Sequence, residues 1–135
     1  MKMSSKARYG LYVAVELAKR YNYAEPVPVA TLAQATGVTE KYLEQIIALM
    51  KKAEVVSAMR GSSGGYKLTD APQNITVGRV LRAVEDNLEI VDCLHGCCSG
   101  KCSCVAHNLW NKLYQNINDY LDTISLQQLV DDNID

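Results

Sequence analysis

Val55-Val56-Ser57-Ala58-Met59-Arg60-Gly61-Ser62-Ser63-Gly64-Gly65-Tyr66-Lys67-Leu68-Thr69 is the stretch on which the fold turns. Two short runs of β character, Val55–Met59 and Tyr66–Thr69, flank a glycine-rich connection that opens on Arg60, and together they read as an antiparallel hairpin. A phosphate-binding loop is the competing reading of those glycines. It needs a Lys-Ser/Thr ending and a following helix, and neither is present. Upstream lie a short helical stretch, Val29–Thr36, a Gly37-Val38 turn and a longer helix, Glu40–Ala53, with Thr39 as its cap. Gly37 suits a left-handed helix end. Tyr42, Leu43, Ile46, Ile47 and Met50 form the apolar side of the longer helix, while Ala30, Leu32, Ala33 and Val38 supply small and apolar positions where two helices cross. Helix, turn, helix and hairpin predict a winged helix-turn-helix, mainly α with a small β-wing.

The flanks extend this module. Residues 5–22 read as an amphipathic helix capped by Ser4 or Ser5, with Leu11, Ala14, Val15 and Ala18 at helical spacing. Pro26 and Pro28 end it, and Pro72 closes the wing region. Ile75–Glu85 is a further helix capped by Thr76, with Val77, Val80, Leu81 and Val84 facing inward. A long amphipathic helix follows at about 105–123, carrying Leu109, Trp110, Leu113, Ile117, Tyr120 and Leu121; Ser125 caps a last short one, Leu126–Asp132. The long helix stands after the globular module, where a second copy of the chain can pair with it, so it is read as a C-terminal dimerisation helix. The expected organisation is a winged helix-turn-helix over 1–86, a cysteine-rich loop over 87–107, and the dimerisation helix with its C-terminal helix over 108–135.

The net charge of −1 conceals an uneven distribution. Residues 1–82 hold twelve Lys/Arg against six Asp/Glu, and residues 83–135 hold two against nine. A basic first part with an acidic remainder suits a polyanion-binding module joined to a sensing or assembly module. Thr39, Glu40, Lys41, Tyr42, Glu44 and Gln45 occupy the first turns of the recognition helix. Gln45 can pair with adenine and Glu44 can accept from cytosine, while Tyr42 has a core position as its alternative. Lys6, Arg8, Lys51 and Lys67 read as phosphate contacts, and Arg60 with Gly61 at the start of the wing as a minor-groove contact. The expected partner is double-stranded DNA with a near-palindromic operator, met by a homodimer whose recognition helices lie about one helical turn apart.

All five cysteines and both histidines fall between Cys93 and His107. So polar and glycine-containing a stretch has little to bury, which points to a metal, a cluster or thiols that react with one another. No run of eighteen apolar residues and no signal-peptide pattern occurs, so the expected location is cytoplasmic, with no membrane partner and with thiols kept reduced. Three thiolates and an imidazole also make an ordinary closed zinc site, and a thiol–disulfide switch without metal is a further alternative. An enzyme is not expected, nor is a small-molecule substrate. Cys102-x-Cys104 is not a Cys-x-x-Cys motif, and no βαβ pattern surrounds the vicinal Cys97-Cys98.

Several stretches together resemble the Rrf2 family of transcriptional regulators. They are Ser5-Lys6-Ala7-Arg8-Tyr9-Gly10, Tyr42-Leu43-Glu44-Gln45-Ile46, Val56 through Tyr66, Ile75-Thr76-Val77-Gly78-Arg79-Val80 and Cys104-Val105-Ala106-His107-Asn108-Leu109-Trp110. The last of these is similar to the branch in which three cysteines and a histidine hold a two-iron, two-sulfur cluster. That resemblance implies Cys93, Cys98, Cys104 and His107 as ligands, with Cys97 able to replace Cys98 and Cys102 as a fourth thiolate, a resolving thiol or a bystander. The function implied is control of operator binding by the cluster, in iron–sulfur cluster biogenesis or a related iron or redox response. A second branch, which senses nitric oxide, uses three cysteines and a four-iron cluster. The spacing from Cys93 to Cys98 is one residue shorter than in the first branch and compatible with the second, and Cys97 and Cys102 are additional thiols. The remaining alternatives are a regulator with zinc or a thiol switch in place of the cluster, and a zinc-stapled protein-binding scaffold.

Overall fold

Ser4 opens the first helix by accepting a hydrogen bond from the Ala7 amide at 3.1 Å, and α1 runs from Ser5 to Lys19. The computed structural model describes residues 2–23, 25–86, 88–91, 94 and 105–134. The buried face of α1 is Ala7, Gly10, Val13, Ala14, Leu17 and Ala18. Of the four residues read at helical spacing, Ala14 and Ala18 are buried, and Leu11 and Val15 are half-buried. Small side chains occupy the closest crossing instead: a Cβ on Gly10 would stand 3.1 Å from a Val84 methyl. The helix also stops short of residue 22, because the amides of Arg20, Tyr21 and Tyr23 bond three residues back in a tightened end.

α2 (Val29–Thr36) ends on Gly37 at φ 73°, a left-handed conformation that glycine adopts without penalty. The Thr39 hydroxyl then accepts from the Tyr42 amide at 3.3 Å and starts α3 (Glu40–Lys52). α3 buries Leu43, Ile46, Ile47 and Met50. The crossing with α2 uses buried Leu32 with half-buried Ala33 and Val38; Ala30 lies on the far side of Leu32 and is exposed, against expectation.

The wing is a two-stranded antiparallel sheet, β1 (Val56–Met59) and β2 (Gly65–Leu68), in the register Val56 to Leu68 and Met59 to Gly65. The outer edge of β2 is not left open. Val27 exchanges two 2.8 Å backbone hydrogen bonds with Tyr66, tying the wing to the chain that enters α2. Gly65 is needed for that approach, since a Cβ there would collide with the Val27 carbonyl. Neither the pairing nor its requirement for glycine follows from the local pattern.

A single 3₁₀ turn, Pro72–Asn74, leads to α4 (Val77–Val84), which buries Val77, Val80, Leu81 and Val84. Thr76 caps it by accepting from the Arg79 amide at 3.1 Å. The helix begins two residues later than expected because Ile75 is extended and committed elsewhere: its carbonyl accepts from Leu126 N–H at 2.9 Å, and Val77 N–H donates to the Ile124 carbonyl at 2.8 Å. α5 (Val105–Asp122) precedes that turn, and α6 (Leu126–Val130) follows it behind a capping box of Ser125 and Gln128. Ile124 and Leu126 thereby join the core built from Leu17, Leu32, Leu43, Ile46, Met50 and Ile75. Among the described residues no helix is long and apolar enough to cross a membrane.

The last helix is therefore part of the core rather than an appendage. Leu126→Ala is expected to cost about 2–5 kcal/mol, and Ser125→Ala about 1 kcal/mol, both read from urea unfolding midpoints.

Candidate nucleic-acid interface and cysteine segment

α3 presents its first turns to solvent. Thr39, Glu40, Lys41, Glu44 and Gln45 are exposed, with hydrogen-bonding groups of both kinds along one edge. Tyr42 is half-buried and packs edge-on against Tyr9 of α1, with ring centroids 6.2 Å apart. Tyr9 in turn meets Tyr12 at 5.8 Å, and the Arg8 guanidinium lies 5.5 Å from the Tyr9 ring centre. Tyr9 thus links the start of α1 to the start of the recognition helix. It stands inside a motif quoted above, but a tyrosine in a basic first turn carries no local sign of that role.

The remaining candidates are spread over α1, the far end of α3 and the wing. Lys6 and Arg8 are exposed in the first turns of α1, and Lys51 is exposed in the last turn of α3. Lys67 is half-buried on β2, paired in register with Ser57. Arg60 and Gly61 are exposed beyond β1, with Gly61 at φ 117°. Lys52, exposed at the end of α3, lines a surface hollow together with Lys6 and Arg82.

Of the ligand candidates, His107 is half-buried in the first turn of α5. Cys93, Cys97, Cys98, Cys102 and Cys104 lie outside the described residues, as does His95. Among the described residues no three His, Cys, Asp or Glu side chains gather as metal ligands would. The chain enters the cysteine segment from α4 and leaves it into α5. Those two helices are joined directly: Arg82 donates to Asn118 Oδ1 at 2.9 Å and pairs with the Asp122 carboxylate. None of the residues of α5 is buried, and Val105, Leu109 and Tyr120 are exposed, Leu109 at 59%.

Residues 3–132 match the model of the Rrf2 family, described as an iron-dependent transcriptional regulator. The chain belongs to the Rrf2 family. It is 38% identical over 135 residues to the HTH-type transcriptional regulator IscR of Aliivibrio salmonicida, covering 98% of this chain and 79% of that one. IscR of T. potens superposes with a TM-score of 0.80 at 32% identity, covering 99% of this chain and 89% of that one. CymR, the global cysteine regulator of B. subtilis, superposes with a TM-score of 0.82 at 30% identity over 97% of each chain. These similarities establish an Rrf2-type winged helix regulator, IscR-like in sequence, and the relatives are named as transcriptional regulators rather than enzymes.

Within such an Rrf2 module the exposed wing arginine and the α3 lysine are expected to separate two kinds of contact. Arg60→Ala should weaken operator binding about tenfold and relax the preference for the bases beside the wing. Lys51→Ala should weaken binding to all sequences alike and reduce the salt slope by about one. Electrophoretic shifts across a salt series distinguish the two.

Proposed function

We propose that this Rrf2 regulator is a homodimer whose reading of a near-palindromic operator is controlled by an iron–sulfur cluster held in the segment between α4 and α5. The observation that carries this reading is His107 in the first turn of α5, directly after the five cysteines, on a helix whose apolar side is partly uncovered. The donor set suits the group: thiolates are the usual ligands of cluster iron, and imidazole in place of one thiolate raises the potential. Cys104 precedes His107 by three residues in the sequence, a spacing that would put both on one face of a helix. Cys93 and Cys98 complete the set, with Cys97 as the substitute for Cys98 and Cys102 as a fourth thiolate, a resolving thiol or a bystander. When bound, the cluster supplies a redox-sensitive tie among these side chains.

The protein's own residues do the rest. Leu109, Trp110, Leu113 and Ile117 provide the apolar surface that a second α5 covers, and Arg82 with Asn118 and Asp122 holds the helix to α4. A change at the head of α5 can alter operator affinity only as far as ligand binding favours one dimer geometry over another. The chain then works in the cytoplasm on genes of cluster biogenesis or a related iron or redox response, a reading supported by its similarity to proteins named IscR.

Protein isolated without oxygen and assayed for visible absorption, iron, sulfide and zinc tests the assignment. A brown dimer with two iron and two sulfide per chain is expected, with His107→Ala shifting the spectrum. Four of each would favour the nitric-oxide-sensing branch, and colourless protein with zinc would overturn the cluster. Leu109→Asp is expected to halve the particle mass seen by light scattering while leaving the monomer folded.

A further inference from the structure

The recognition helix and the wing are joined by only three residues, Ala53, Glu54 and Val55. Glu54 adopts φ 61°, a left-handed conformation disfavoured for any residue bearing a Cβ. Two side chains from separate elements converge on its carbonyl oxygen. Thr69, just after β2, donates its hydroxyl at 2.6 Å, and Arg79 of α4 donates Nη2 at 3.0 Å. The next residue, Val55, is fully buried, and its carbonyl accepts from the Thr69 amide at 3.1 Å. The direction in which β1 leaves α3 therefore depends on one strained residue and the groups that grip its carbonyl.

We propose that Arg79 is a positioning residue for operator reading, holding Glu54 in its left-handed conformation and so setting the angle between the recognition helix and the wing. The charged groups around it fit this task. Arg79 lines a surface hollow with Lys51, Glu54 and Asp70. Asp70 accepts from Asn74 at 3.1 Å and from the Ala71 amide at 2.7 Å, and with the Arg79 charge nearby these bonds hold its carboxyl below the usual carboxylate range. A carboxylate thus stands near the guanidinium, whose Nη2 is bonded to backbone within the protein. Without Arg79 the carbonyl keeps only Thr69, and Glu54 can relax towards ordinary backbone, moving Arg60 relative to the first turns of α3.

This inference rests on the DNA-reading roles of α3 and the wing, and its test separates the two. The probe is the duplex that wild-type protein selects from a random pool. Arg79→Met is expected to lower affinity for it roughly fivefold. The slope of log affinity against log salt should stay unchanged, because no phosphate contact is lost. Adding Glu54→Gly should restore affinity to within about twofold, since glycine takes the left-handed conformation freely. In the same proteins without DNA, amide exchange at Val55 and Val56 should quicken in Arg79→Met and slow again in the double variant. Unchanged affinity, a slope smaller by about one, failure of Glu54→Gly to rescue, or unaltered exchange would each overturn the assignment. If wild type selects no duplex, the DNA reading fails, and the exchange measurement still decides whether Arg79 holds the joint.

Discussion

Two backbone hydrogen bonds hold the long helix to the DNA-reading module: Leu126 N–H to the Ile75 carbonyl and Val77 N–H to the Ile124 carbonyl. They close the end of α5 onto the start of α4, and buried Ile75, Ile124 and Leu126 shield them from water. Desolvated backbone groups that lose a partner are costly, so this junction behaves as a fixed point rather than a loose hinge. Arg82 adds a second, more exposed tie one helical turn further along α4. The opposite end of α5, which carries His107, has no such anchoring among the described residues. In the proposed function, a helix fixed at its C-terminal end would carry the effect of ligands bound near residue 107 to the pairing of two chains.

On the DNA side, α4 serves two partners. Its Arg82 faces α5, and its Arg79 reaches the joint between α3 and β1. The recognition helix, the wing and the long helix are thus all referred to one short element whose inward face is fully apolar. Tyr9 does the corresponding work between α1 and α3. In the proposed function, exposed charges on such a frame would contribute affinity through phosphate contacts, and the frame would decide where those charges fall.

What was legible in the sequence was local. Thr39, Thr76 and Ser125 cap the helices they were expected to cap, and Gly37 is left-handed, because each obeys a rule confined to four or five residues. On α1 the spacing marked Ala14 and Ala18, which are buried, but also Leu11 and Val15, which are half-buried, and it passed over Gly10, whose missing side chain allows the close approach of Val84. The pairing of Val27 with Tyr66 and the strained Glu54 joint were not legible. One spans forty residues, and the other places a non-glycine where local preference argues against it. The cysteine segment is readable as donor chemistry, because thiol and imidazole are given by residue type. Which thiols meet depends on the path of the loop, and no local propensity encodes that.

The most direct measurement is the operator affinity of one preparation, by fluorescence anisotropy at fixed salt, before and after its cluster is removed under anaerobic conditions. An affinity that changes at least tenfold between the two states, and returns when the cluster is rebuilt, is the expected result. Equal affinity in both states, with the dimer intact, would contradict control through the head of α5.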